Sequence, residues 1–99
     1  MKKSNNNAQA DLTKSMTIDN QLGMHARAAA RIVRLAEKAK GQVFIEKDGI
    51  SADAGSVLDI LTLNCPMGCT VTVRAVMAED KDVVESIERL IKNKFGEPE

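Results

Sequence analysis

With 99 residues the chain has room for one small domain and a single modest core. Its 14 acidic and 14 basic side chains cancel, which argues against general nucleic-acid binding, since that needs a clear basic surplus. Aromatic residues are only 2% against 43% hydrophobic, so the core must be aliphatic and Ala-rich, and no run approaches the ~20 apolar residues that span a membrane.

Residues 1 to 11 are polar, Asn-rich and aperiodic, and are expected to form a disordered lead ahead of a domain covering residues 12–95. Met1-Lys2-Lys3 starts like a secretory n-region, but Ser4-Asn5-Asn6-Asn7 follows in place of an apolar stretch, so a cytoplasmic protein is expected. Leu12 to Ile18 alternates apolar and polar residues and predicts a half-buried first strand, broken by Asp19-Asn20-Gln21. Ala26 to Lys40 reads as a helix closed by Gly41, with Ala29, Ile32, Val33, Ala36 and Ala39 on its core face. Arg27, Arg31, Arg34 and Lys38 line another face of it, either as a solvated stripe or as a docking face for acidic partners.

Gln42 to Lys47 is a second strand, Asp48-Gly49 a hairpin turn, and Ile50 to Asp53 a short third strand. A helix from Ser56 to Leu63 follows, with Ser56 and Asp59 resembling a capping box. Asn64 to Cys69 is a turn, Thr70 to Val76 a fourth strand, and a last helix capped by Asp80 or Asp82 runs to about Lys94. Val83, Val84, Ile87, Leu90 and Ile91 form its core stripe. The order β-α-β-β-α-β-α with a central hairpin predicts an α+β domain: an open-faced β-sandwich, a four-stranded antiparallel sheet with three helices on one face.

The stretch of greatest chemical interest is Gly23-Met24-His25-Ala26-Arg27, where the chain's one histidine stands at a helix start. Such a start has backbone N–H groups without intrahelical partners and carries roughly half a unit of positive charge, which suits an anion. Arg27 adds a planar cation matched to phosphate oxygens. A neutral imidazole can attack near pH 7 and then carry a labile group. On local sequence alone the plainer reading, a surface histidine near a turn, stands beside the reading of a phosphoryl acceptor.

Gly23-Met24-His25-Ala26-Arg27-Ala28-Ala29-Ala30 resembles the active-site signature of the HPr family, the histidine-containing phosphocarriers of the bacterial phosphoenolpyruvate-dependent phosphotransferase system, and the resemblance runs from about Ser15 to Lys94. It implies that His25 accepts a phosphoryl group at its δ nitrogen from Enzyme I and passes it to EIIA-type proteins. Arg27 and the backbone N–H groups of Ala26 and Arg27 would then hold the phosphoryl oxygens. Ala28 departs from the Pro of most sugar-type members, and Gly55 stands where a basic residue usually precedes a regulatory serine. Sugar-uptake and nitrogen-type regulatory branches therefore both stay open.

By the same resemblance Ser56 corresponds to that regulatory phosphoserine, with a serine kinase as a possible partner, although a plain N-cap explains the residue equally. Helix 56–63 carries more apolar side chains than one buried stripe requires, so Val57, Leu58 and Leu61 are candidates for a docking patch, joined by Met24 and Arg31. Cys65 and Cys69 are read as small side chains at a turn, because two thiols are too few for a structural metal site. No cofactor, no membrane insertion and a monomer are expected. Two competing classes are a non-phosphorylated HPr-like module that acts by docking alone and an RNA-binding α/β domain. The latter is disfavoured by the missing aromatic platform.

Overall fold

A computed structural model of the chain describes residues 12–97, so the expected disordered lead lies outside the described residues. Seven main elements follow in the order anticipated: β1 (Leu12–Thr17), α1 (Ala26–Ala36), β2 (Val43–Lys47), β3 (Ile50–Asp53), α2 (Val57–Leu61), β4 (Thr70–Ala75) and α3 (Lys81–Lys92). The strands form one antiparallel sheet in the spatial order β1-β4-β2-β3. The β2–β3 hairpin closes through Asp48 and Gly49, both at positive φ (52° and 81°), the backbone that a two-residue hairpin turn demands.

Register fixes which face is buried. Met16 stands opposite Val71, Ile45 opposite both Val73 and Ala52, and Val43 opposite Ala75; all seven side chains are buried on one face. The helices supply the other half of that core through Ala28, Ala29 and Ile32 of α1, Ile60 of α2, and Val84, Ile87 and Ile91 of α3. The reverse face stays polar, with Ser15 hydrogen-bonded to Thr72 at 2.8 Å and Arg74 paired to Glu46 at 2.7 Å while lying over the Phe44 ring. This is the open-faced sandwich that the element order predicts.

The helix ends differ from expectation. α1 stops at Ala36 and not at Lys40, because the chain tightens into i→i−3 bonds from Lys38 to Leu35 and from Ala39 to Ala36. The N–H groups of Lys40 and Gly41 then turn to the carboxylate of Asp80, each at 2.8 Å. Asp80 stands at the N-cap position of α3 but makes no cap bond there; it is 3% exposed and ties the end of one helix to the start of another. In α2, Ser56 Oγ accepts from the Asp59 N–H at 3.2 Å, whereas the Asp59 carboxylate accepts from Asp53 N–H at 2.6 Å, so only half of a capping box forms.

After α3 the chain reverses sharply. Lys94 and Phe95 both adopt left-handed backbone (φ 56° and 57°), a conformation that costs side-chain-bearing residues of order 1 kcal/mol each. Phe95 offsets this by burying its whole ring in the core. The reversal carries Glu97 back to the start of α1.

The Asp80 bridge predicts its own cost. Asp80→Ala leaves two N–H groups without their acceptor and should lower stability by about 2 kcal/mol in urea unfolding, with the sheet pairing unchanged.

Candidate functional site

The turn that presents His25 is built by backbone bonds to the loop before β4. Ile18 N–H donates to Cys69 O at 2.8 Å, Gly68 N–H to Ile18 O at 2.7 Å, and Met24 N–H to Cys65 O at 2.8 Å. Gly23 lies at φ 68°, and a Cβ added there would stand 2.7 Å from Cys65 O and 3.0 Å from Pro66 Cα, both rigid backbone atoms. Only glycine fits both the angle and the approach. His25 then takes extended backbone (φ −91°, ψ 178°) as the N-cap of α1, and its carbonyl accepts the first helical bond, from Ala29 N–H at 2.9 Å.

The imidazole is 25% exposed and makes no cap bond to the helix. The N–H groups of Ala26 and Arg27 belong to the first turn, ahead of the first helical bond, and point to no acceptor within the helix. Arg27 is exposed on that same turn. The first turn itself carries no acidic residue.

A carboxylate completes the arrangement. Glu97 pairs directly with His25 Nε2, and its other oxygen accepts from Asn20 Nδ2 at 3.0 Å. Asn20 is fully buried and gives its remaining amide hydrogen to Gly23 O at 2.8 Å, joining the turn to the carboxylate. Arg31 donates its guanidinium to the Phe95 carbonyl and so pins the reversal that delivers Glu97. Burial pushes the Glu97 carboxyl upward, but the hydrogen bonds from His25 and Asn20, with the charges of His25 and Arg27, outweigh it and hold it below the ordinary glutamate value of 4.5. Glu97 is therefore ionised at neutral pH and can only accept, so Nε2 is the donor in this pair and Nδ1 takes no part in it.

The sequence-derived site residues separate into groups. His25, Ala26 and Arg27 meet at the start of α1. Met24 does not join a docking surface: it is 6% exposed and packs into the core, because its N–H bond to Cys65 O turns it beneath the loop. Arg31 is half-buried, with its guanidinium on Phe95 O. Leu58 is 78% exposed, whereas Val57 and Leu61 are half-buried against the core. Sequence reasoning missed Asn20 and Glu97, which meet across 77 positions, and also Leu22 and Met67, large apolar side chains left exposed on the two segments that hold the turn. Asn20 carried a local signal, an Asx-type turn before a glycine; nothing local marked Glu97.

The family comparisons agree with this architecture. Residues 12–93 match the family described as PTS HPr component phosphorylation site. The phosphocarrier protein HPr of Cupriavidus necator is 35% identical over 88 residues, covering 89% of this chain and 99% of that protein. The phosphocarrier protein NPr of Shewanella violacea is 35% identical over 86 residues, covering 87% and 94%. Among solved structures, HPr-C-His from Thermoanaerobacter tengcongensis superposes with a TM-score of 0.83 at 32% identity, covering 89% and 99%. A structure from the same organism described as an HPr dimer gives 0.68 at 34%, covering 83% and 94%. The fold and the site define a small open-faced sandwich with one histidine at a helix N-terminus. The chain belongs to the HPr family of phosphocarrier proteins of the phosphotransferase system.

Two outcomes follow from the turn and its loop. Gly23→Ala should destabilise the fold by about 1–3 kcal/mol in urea unfolding, since backbone must move to admit the methyl group. Burial, together with the neighbouring Cys69, pushes the Cys65 thiol up to about 12, so at pH 8 an alkylating reagent followed by peptide mass spectrometry should label Cys69 and spare Cys65 until the protein unfolds.

Proposed function

We propose that His25 accepts a phosphoryl group at Nδ1 from phosphorylated Enzyme I and passes it to a histidine of an EIIA-type protein, in the cytoplasm and with no small substrate of its own. The observation that carries this reading is the half-exposed imidazole at the N-cap of α1, beside unbonded first-turn N–H groups and an exposed Arg27. Phosphoryl transfer asks mainly for in-line positioning and charge stabilisation, and the open helix start with Arg27 supports the second of these. Each helix-terminus charge contact is worth roughly 0.3–1 kcal/mol when exposed, which leaves the group labile enough to move on.

Partners are proposed to dock on the surface around the ring. Leu58 on α2, Leu22 on the turn and Met67 on the loop give it an apolar part. Arg27, with Arg34 further along α1, gives it a basic part suited to acidic partners. Sugar uptake and nitrogen-type regulation both fit, since relatives named HPr and NPr match at equal identity. Ser56 is used as the N-cap of α2; a kinase acting there would place a phosphate beside Leu58 and oppose docking of acidic partners.

Incubation with phosphoenolpyruvate and Enzyme I should add the mass of one phosphate, lost in mild acid and absent in His25→Ala. Arg27→Ala should slow the uptake about tenfold, the cost of one charge-assisted hydrogen bond. If the wild-type chain gains no mass while still binding Enzyme I, it is a docking module and the relay reading fails.

A further inference from the structure

We propose that Glu97 is a positioning residue for phosphoryl transfer: it accepts the Nε2 proton of His25, holds Nδ1 as the free lone pair, and stabilises the imidazolium that forms when that lone pair is used. The inference rests on the phosphocarrier reading and deepens it. Its basis is the His25–Glu97 contact and the way the fold fixes both partners.

The carboxylate is not a loose tail group. Its side chain is only 8% exposed, and one oxygen is held by Asn20 Nδ2 at 3.0 Å while the other meets the ring. Asn20 is itself fixed to Gly23 O, two residues before the histidine. The chain reaches this place only because Phe95 is buried at a left-handed reversal and Arg31 grips its carbonyl. Glu97 N–H closes the turn on Lys94 O at 3.0 Å. One core aromatic, one guanidinium and one buried amide thus converge on a single ring nitrogen.

In the step itself the Nδ1 lone pair attacks phosphorus, the bond from phosphorus to the donor breaks, and its electron pair leaves with the donor. The Nε2 proton stays in place. The ring becomes cationic, and the charge faces the Glu97 carboxylate; when the group moves on, the neutral ring returns in the same tautomer. Two effects of Glu97 oppose each other. Its charge repels an incoming phosphoryl group, but across the full width of the ring, a longer distance than that to the ring nitrogen it touches. Its hydrogen bond to a developing cation is worth tenfold or more in rate. The hydrogen bond wins.

The test compares wild type, Glu97→Ala and Glu97→Gln, each first verified as folded by its amide spectrum. Nitrogen-15 spectra of the neutral imidazole should show a slowly exchanging Nε2 proton in wild type, lost in Glu97→Ala and recovered in Glu97→Gln, whose side-chain carbonyl still accepts. Initial phosphorylation by Enzyme I should fall about tenfold in Glu97→Ala, the lower end of what losing a ring-orienting partner costs, and recover in part in Glu97→Gln. An unchanged Nε2 signature in Glu97→Ala, or transfer as fast as wild type or faster, overturns the proposal. If wild type takes up no phosphate, the phosphocarrier reading falls and the imidazole spectra alone decide the pairing.

Discussion

The arrangement hangs on three backbone hydrogen bonds between residues 18–24 and the loop 65–69: Ile18 to Cys69, Gly68 to Ile18, and Met24 to Cys65. They extend the β1–β4 pairing past the end of the sheet and set where α1 begins. Helix 1 could start a residue earlier or later at small cost in propensity alone. The bond from Met24 to Cys65 and the closeness of Gly23 to that carbonyl remove this freedom. His25 is therefore an N-cap by tertiary constraint and not by chemistry, since its side chain caps nothing.

That distinction matters for function. At an N-cap a serine or aspartate would satisfy the first-turn N–H groups itself and close them to any outside anion. The imidazole makes no cap bond and leaves them open, while its Nε2 is engaged by Glu97. The same residue position thus serves two ends: a helix terminus that remains hungry for an anion, and a ring whose nitrogen count is already settled on one side. The aliphatic core beneath is indifferent to this chemistry, and so the site can be built from a turn, one helix end and the returning C-terminal segment.

Much of the fold was legible in the sequence, because the signals were local. Alternation in Thr70 to Val76, the Asp48-Gly49 pair and the 3.6-residue stripe of Val84, Ile87 and Ile91 each act over a few residues, and each element stands where those patterns put it. Helix ends were less legible. Gly41 suggested a C-cap, but Asp80, some 40 positions away, takes the N–H groups of Lys40 and Gly41 and ends the helix region its own way. Met24 was misjudged for a similar reason: adjacency to His25 suggested surface, and only the bond to Cys65 turns it inward. Glu97 lay beyond local reasoning altogether, and although Asn20 has a local turn signal, its meeting with Glu97 depends on the reversal at Phe95.

The strengths of these contacts are in keeping with a group that must arrive and leave. A site that bound a phosphoryl group with several charged side chains would hold it as a product, and each such hydrogen bond would add about 1.5–3 kcal/mol to the barrier for release. In the proposed relay one exposed guanidinium and two backbone N–H groups would meet the incoming oxygens, while the carboxylate is hydrogen-bonded to the ring nitrogen Nε2. Stabilising the cationic ring makes the nitrogen a better acceptor. Because the stabilisation reaches the phosphoryl group only through the ring, and the carboxylate's own charge repels that group, the bond stays within reach of a second nucleophile. Help on one face of the ring and restraint on the other is what separates a carrier from a binding site, and both faces are set by residues at the two ends of one small domain.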